Sequence, residues 1–206
     1  MFIRKARKNL LRRRELQPLD YELHVAIDGI APPIYRDLLV GEKLFLIQLH
    51  RTIQATFGWY DIHDHEFVIG GVRYAEPDAD GKLASGVRST LEVTVGELAL
   101  KRYATFSYVY DHSARWSLTI TVLNIFQQET PELTEIPMMI GGVRAAPPED
   151  CGGVPGYYEL LQAIKNPTDP AYSDRLARLG PPFDPELFDL RSGNHTLALM
   201  CAWGAI

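Results

Sequence analysis

The sequence predicts an α+β domain: a mixed, mostly antiparallel sheet with one long helix near the N-terminal half and a C-terminal cluster of short helices. Three observations predict it. Residues 21–27, 106–110 and 116–126 alternate side chains with the two-residue period of a strand. Between residues 42 and 57, Leu46, Leu49, Ile53 and Phe57 recur at spacings of three and four, the stripe of one helix face. Beyond residue 154, Pro155, Pro170 and Pro185 each stand where a helix can begin, since the first turn has no use for the missing N–H.

The elements follow in order. Tyr21, Leu23, Val25 and Ile27 share one strand face, which leaves His24 on the other. Asp28-Gly29 turns the chain, and Pro32-Pro33 leads into a second strand over residues 34–40. The helix over residues 42–57 ends at Gly58, and His50 falls in its second half, where a cation opposes the dipole favourably. From His63 a strand continues to Ile69 and puts His63, His65, Phe67 and Ile69 on one face, with Asp64 and Glu66 opposite. Gly70-Gly71 closes a hairpin into residues 72–74. Residues 75–89 read as an exposed loop, residues 90–100 as a strand or short helix divided at Gly96, and residues 111–115 as a hairpin turn. Residues 127–137 form another loop. Pro155 opens a helix with Tyr157, Leu160, Leu161 and Ile164 on one face. Asp169-Pro170 opens another, with Tyr172, Leu176 and Leu179, which Gly180-Pro181-Pro182 stops. Asp184-Pro185-Glu186 starts a last short turn ending near Leu190, and the apolar residues 196–203 suit an added strand or a segment buried by a partner.

One stretch stands out for its backbone. Residues 141–157 hold two adjacent prolines, two glycine pairs, and Glu149, Asp150 and Cys151 between them. Pro147 and Pro148 stiffen the approach, and Gly152 and Gly153 permit angles closed to other residues. A rigid elbow presenting Glu149, Asp150 and Cys151 is expected.

Composition bounds the function classes. The 206 residues are 46% hydrophobic and 23% charged, ordinary for one globular domain. No apolar run reaches the roughly 18 residues of a membrane span, and the basic N-terminus lacks the apolar core of a secretory signal. A cytoplasmic protein without a membrane partner is expected. Two cysteines, Cys151 and Cys201, make neither a disulfide framework nor a Cys₄ zinc site. The net charge of −5 conceals an asymmetry: Arg4, Lys5, Arg7, Lys8, Arg12, Arg13 and Arg14 precede any acid, so an arm of +7 leads a body of −12. Such an arm can neutralise phosphates, which makes nucleic acid a candidate partner.

Candidate chemistry is sparse. His63 and His65, at i and i+2, supply only two of the three or four ligands zinc requires. No cofactor or metal is expected on these residues alone. Asp111-His112-Ser113 is not a catalytic triad, because three successive loop residues cannot align as orienter, base and nucleophile, and no nucleophile elbow accompanies them.

Several quoted pieces resemble the plasmid pRiA4b open-reading-frame-three-like family, whose members occur on plasmids and as passengers of insertion elements. They are Tyr21-Glu-Leu with Pro32-Pro33-Ile34, Ile53-Gln54-Ala55 with Gly58-Trp59, and His63 with His65-Glu66-Phe67, Gly70-Gly71 and Tyr74. Phe183-Asp184-Pro185 and Phe188 follow, and the most specific piece is Pro147-Pro148-Glu149-Asp150-Cys151-Gly152-Gly153 with Gly156-Tyr157. The resemblance covers roughly residues 20–190 and implies an α+β domain with no established activity. Two departures stand out: Ala146 replaces a Cys common in the family, which removes a Cys-pair reading, and Trp116 lacks the acid and histidine that usually follow it.

These readings give an arm over residues 1–19, a domain over 20–190 and an apolar tail over 191–206. The favoured function is a binding or adaptor module of plasmids and transposable elements, leaning away from an enzyme, with an unidentified protein or small-molecule partner. Trp59, His63, His65, Trp116, Glu149, Asp150 and Cys151 form its candidate face. The alternatives are a metal-assisted hydrolase using His63 and His65 with Glu149 and Asp150, and a nucleic-acid-associated protein acting through the arm.

Overall fold

The computed structural model describes residues 18–127, 137–170 and 183–204, together with Ile206. The basic arm with Arg4, Lys5, Arg7, Lys8, Arg12, Arg13 and Arg14 lies outside the described residues, as do residues 128–136 of the loop expected over 127–137 and the expected helix positions Tyr172, Leu176 and Leu179. Among the described residues no helix is long and apolar enough to cross a membrane.

Alternating side chains assemble one sheet. In β1 (Leu19–Ile27), Tyr21, Leu23, Val25 and Ile27 are buried, and Glu22, His24 and Ala26 face the other way, half-buried. β2 (Tyr35–Gly41), β3 (His65–Ile69), β4 (Val72–Ala75), β5 (Val87–Ser89), β6 (Thr105–Tyr110), β7 (Trp116–Gln127) and β8 (Met138–Val143) complete it. The spatial order is β5-β4-β3-β6-β7-β1-β2-β8, and every neighbouring pair is antiparallel except β4 with β5. β5 falls within the stretch read as loop; it earns strand status by pairing alongside β4. Gly70 and Gly71, at φ 58° and 82°, turn β3 into β4 as a two-residue hairpin that side-chain-bearing residues make poorly.

The helices require a correction. α1 (Leu46–Phe57) has 12 residues, while α2 (Gly153–Lys165) and α3 (Leu190–Ala202) have 13 each. The N-terminal helix is therefore not the long one, and the described C-terminal helices are not short. α1 starts late because the preceding residues are drawn into extended pairing: Phe45 bridges Thr94, and the Leu46 N–H donates to Val93 O. Gly58, at φ 71°, closes it as expected. Its stripe of Leu46, Leu49, Ile53 and Phe57 is buried against the inner sheet face, beside Leu23, Leu38, Leu118 and Ile120. Residues 90–100 form only a 3₁₀ turn at Gly96–Leu98.

The tail is a helix rather than a strand. Asp189 caps α3 by accepting from the N–H groups of Arg191 and Ser192. Gly193, within α3, leaves room for the end of the Met139 side chain, which an added Cβ would displace. Asn194 then docks α3 on β8: its Oδ1 accepts from Met139 N and its Nδ2 donates to Met139 O, both at 2.8 Å.

Arg36 breaks the apolar alternation of β2 and points inward. Arg36 is 4% exposed, with the Phe57 and Phe188 rings each 5.0 Å from the central carbon of its guanidinium. It donates to four carbonyls: Thr56 O, Tyr35 O, Val143 O and Arg144 O, at 2.8–3.0 Å. Burial alone lowers its pKa to about 10.

Candidate functional site

The elbow lies on an aromatic pile at one end of the sheet. Trp59 follows the Gly58 cap and sits 5.2 Å from Phe57, 5.4 Å from Tyr110 and 5.6 Å from Trp116, centroid to centroid. Both indoles hold the elbow by its backbone. Trp59 Nε1 donates to Pro147 O at 3.0 Å, and Trp116 Nε1 donates to Glu149 O at 3.1 Å. Replacing Trp59 with phenylalanine keeps the stacking and removes one buried donor. The expected cost is about 1–2 kcal/mol, with faster amide exchange over residues 148–152; unchanged exchange would show that the indole N–H does not restrain the elbow.

Glu149 turns inward instead of outward. It is 4% exposed; Tyr60 N donates to its Oε2 at 2.7 Å, and the Tyr110 hydroxyl donates to its Oε1. The same hydroxyl accepts from Ile62 N and His63 N, and burial followed by the Glu149 carboxylate raises its pKa. Cys151 is also buried. Gly152 and Gly153, at φ 93° and 70°, carry the chain into α2, and a Cβ on Gly156 would run into Cys151 O. Of the elbow's three polar residues, only Asp150 reaches solvent.

Across from it stands His63, which precedes β3 rather than lying in it. Its Nε2 is 3.3 Å from Asp150 Oδ1 and 3.9 Å from Asp111 Oδ2. Burial opposes ionisation of Asp111, but the Ser113 hydroxyl and amide, the Ala114 amide and His63 together hold its carboxyl below the ordinary range.

His65 is 4% exposed and lies flat against His50, ring centroids 3.5 Å apart and planes 7° from parallel. His50 is fully buried, and the helix-dipole explanation for it does not hold. It belongs to a closed ring of hydrogen bonds. Its Nε2 donates to Asp61 Oδ1 at 2.5 Å, and its Nδ1 accepts from the Tyr108 hydroxyl at 2.8 Å. Gln54 Nε2 donates to that hydroxyl at 2.8 Å, and Asp61 N donates back to Gln54 Oε1 at 3.2 Å. The loop of partners fixes the tautomer of His50 and holds Asp61 at φ 57°, a left-handed conformation that Asp tolerates better than most residues. Burial, with His50, Arg51 and His112 adding to it, lowers the pKa of His65 to about 2, so its ring is neutral. Its Nε2 is buried without a hydrogen-bond partner.

His50, Asp61, Tyr108 and Gln54 were not legible as a unit. One signal was available: positions 46, 50 and 54 recur at spacings of four, which places His50 and Gln54 on the flank of the buried stripe.

His63 and His65 border a hollow of about 570 Å³ whose wall includes Asp64, Glu66, Glu76, His112 and parts of residues 77–87. Trp59, Trp116, Glu149, Asp150 and Cys151 do not line it; the two indoles hold the elbow from beneath. Among the described residues no group of three or more His, Cys, Asp and Glu is arranged to hold a metal ion.

Comparison with known proteins decides the kinship. The model of a family described as "Plasmid pRiA4b ORF-3-like protein" matches residues 20–192. The chain belongs to this family. One relative is the uncharacterized protein y4hQ of Sinorhizobium fredii (strain NBRC 101917 / NGR234), 30% identical over 161 residues, which are 77% of this chain and 79% of that one. The crystal structure of MM3350, a protein of unknown function from Methanosarcina mazei Go1, is similar with a TM-score of 0.72 and 32% identity. That match covers 85% of this chain and 97% of MM3350. The pRiA4b ORF-3-like description links the family to plasmids, and neither relative's name assigns a reaction.

Proposed function

We propose that this pRiA4b ORF-3-like protein is a binding module of plasmids and other mobile elements, with the hollow beside β3 and β4 as its working face. One observation carries the reading. A hollow of about 570 Å³, large enough for a small ligand, opens beside β3 and β4 with His63, Asp64, Glu66, Glu76 and His112 in its wall. The elbow supports this face from outside its wall: Asp150 lies against His63, and the Trp59 and Trp116 indoles hold the elbow's backbone. The reading favours binding over catalysis because Glu149, one of the two carboxylates offered for hydrolysis with Asp150, is already engaged in the core by two donors.

The test is a titration of the histidine ring signals by NMR with a mixture of cationic, anionic and neutral small molecules. At least one is expected to move the signals of His63 and His112, which line the hollow, and leave those of His24 and His195 in place. If none moves them, the hollow is not a binding face.

A further inference from the structure

We infer that the loop between α1 and β3 is an interface with a second copy of this chain, with Tyr60 and Ile62 at its centre. The contact lies outside the hollow, whose wall includes neither residue.

The loop is held more firmly than an exposed connection requires. Five successive N–H groups donate inward. Trp59 N donates to Gln54 O at 2.9 Å, Tyr60 N to Glu149 Oε2 at 2.7 Å and Asp61 N to Gln54 Oε1 at 3.2 Å. Ile62 N and His63 N both donate to the Tyr110 hydroxyl, at 3.0 and 3.3 Å. Gln54, Tyr110 and Glu149 are all buried, and the Asp61 carboxylate also reaches in, to His50. Burying such groups is costly, and a surface loop can leave its amides to water instead. What this backbone holds in place is apolar: Tyr60 is 78% exposed and Ile62 61%. With Trp203, Tyr60 is the most exposed large apolar side chain among the described residues. A tyrosine on a fixed backbone has only two side-chain torsions left to lose, so it buries area on association at a small entropic cost.

The charges at the two flanks choose the occupant. On the α1 side Arg51 is partly exposed, its Nε 3.9 Å from Asp61 Oδ2. On the elbow side Asp150 is largely exposed, beside His63. An apolar centre between a base and an acid is complementary to itself under a twofold rotation. Arg51 of each copy then meets Asp150 of the other, while the Tyr60 and Ile62 side chains pack across the axis. A uniformly basic or acidic surface would satisfy one flank and be repelled by the other. The patch is small, so a weak, reversible dimer is expected.

Sedimentation of the full chain at low ionic strength is expected to show a monomer–dimer equilibrium with Kd below about 100 µM. The double variant Tyr60→Ser, Ile62→Ser removes the exposed centre, keeps every N–H of the loop, and should weaken the dimer at least about tenfold. Charge exchange tests the twofold pairing. Arg51→Glu alone sets acid against acid, and Asp150→Arg alone sets base against base, so each variant should dimerise at least about tenfold more weakly. Mixed one to one, the two variants restore opposite charges at both contacts and should form a heterodimer with a Kd close to that of the wild type. A chain that stays monomeric up to about 1 mM overturns the inference. So does a dimer indifferent to the double serine variant or to the single charge variants, and so does a mixture that recovers nothing.

Discussion

Replacing Arg36 with methionine is expected to destabilise the protein by about 4 kcal/mol, because each buried acceptor left without a donor costs roughly 1–3 kcal/mol. Methionine fills similar volume and keeps the apolar stem, so the loss isolates the planar head group. That head bonds carbonyls of β2, of the end of β8 and of the last turn of α1, and it is clasped by Phe57 and Phe188. It therefore joins four segments distant in sequence at one buried charge. Lysine should recover less than half of the loss, since a single ammonium cannot address four divergent acceptors or lie flat between two rings. Urea unfolding of the three proteins measures this through the midpoint at constant slope. A loss below about 1 kcal/mol would show that water can replace the guanidinium.

Acid should unfold the protein through His65. Its pKa is about 2 in the folded state against 6.5 when free, so the unfolded chain takes up the proton first. Above about pH 6.5 neither state is protonated and the residue imposes no penalty. As pH falls below that value the unfolded state gains, at about 1.4 kcal/mol per unit, and the gain continues toward pH 2. Between pH 6.5 and 4.5 the wild type should lose about 2–3 kcal/mol more than the His65→Phe variant. Carboxylates titrate in both proteins, so the difference isolates the imidazole. Phenylalanine keeps the stack on His50 and abandons no bond, since the Nε2 it replaces has none. Parallel stability–pH curves for the two proteins would show that His65 does not govern acid sensitivity.

What could be read from the sequence was local. The alternation of Tyr21, Leu23, Val25 and Ile27 gives β1 its face, and Gly70-Gly71 needs no tertiary information to be a hairpin. Gly58 ends α1 where a left-handed residue must stand. The misreadings share a physical cause, partners supplied from far along the chain. His50 was adequately explained by its own helix until Asp61, Tyr108 and His65 closed around it. Glu149 reads as the tip of an exposed bend, yet Tyr60 and Tyr110 draw it inward. Residues 196–203 are apolar enough for a strand, but Ala, Leu and Met favour a helix, and Asp189 supplies its cap from seven residues upstream.

The amide of Asn194 has a consequence beyond docking α3. β8 is the last strand on its side of the sheet, and the N–H and C=O of Met139 are the groups to which an incoming chain would add. Asn194 occupies both, as the peptide group of a ninth strand would. A helix thus impersonates a strand and blocks lateral accretion there, while the opposite border, three-residue β5, offers little length to template on. The Met139 position of the β8 edge is thereby closed to pairing with a second copy.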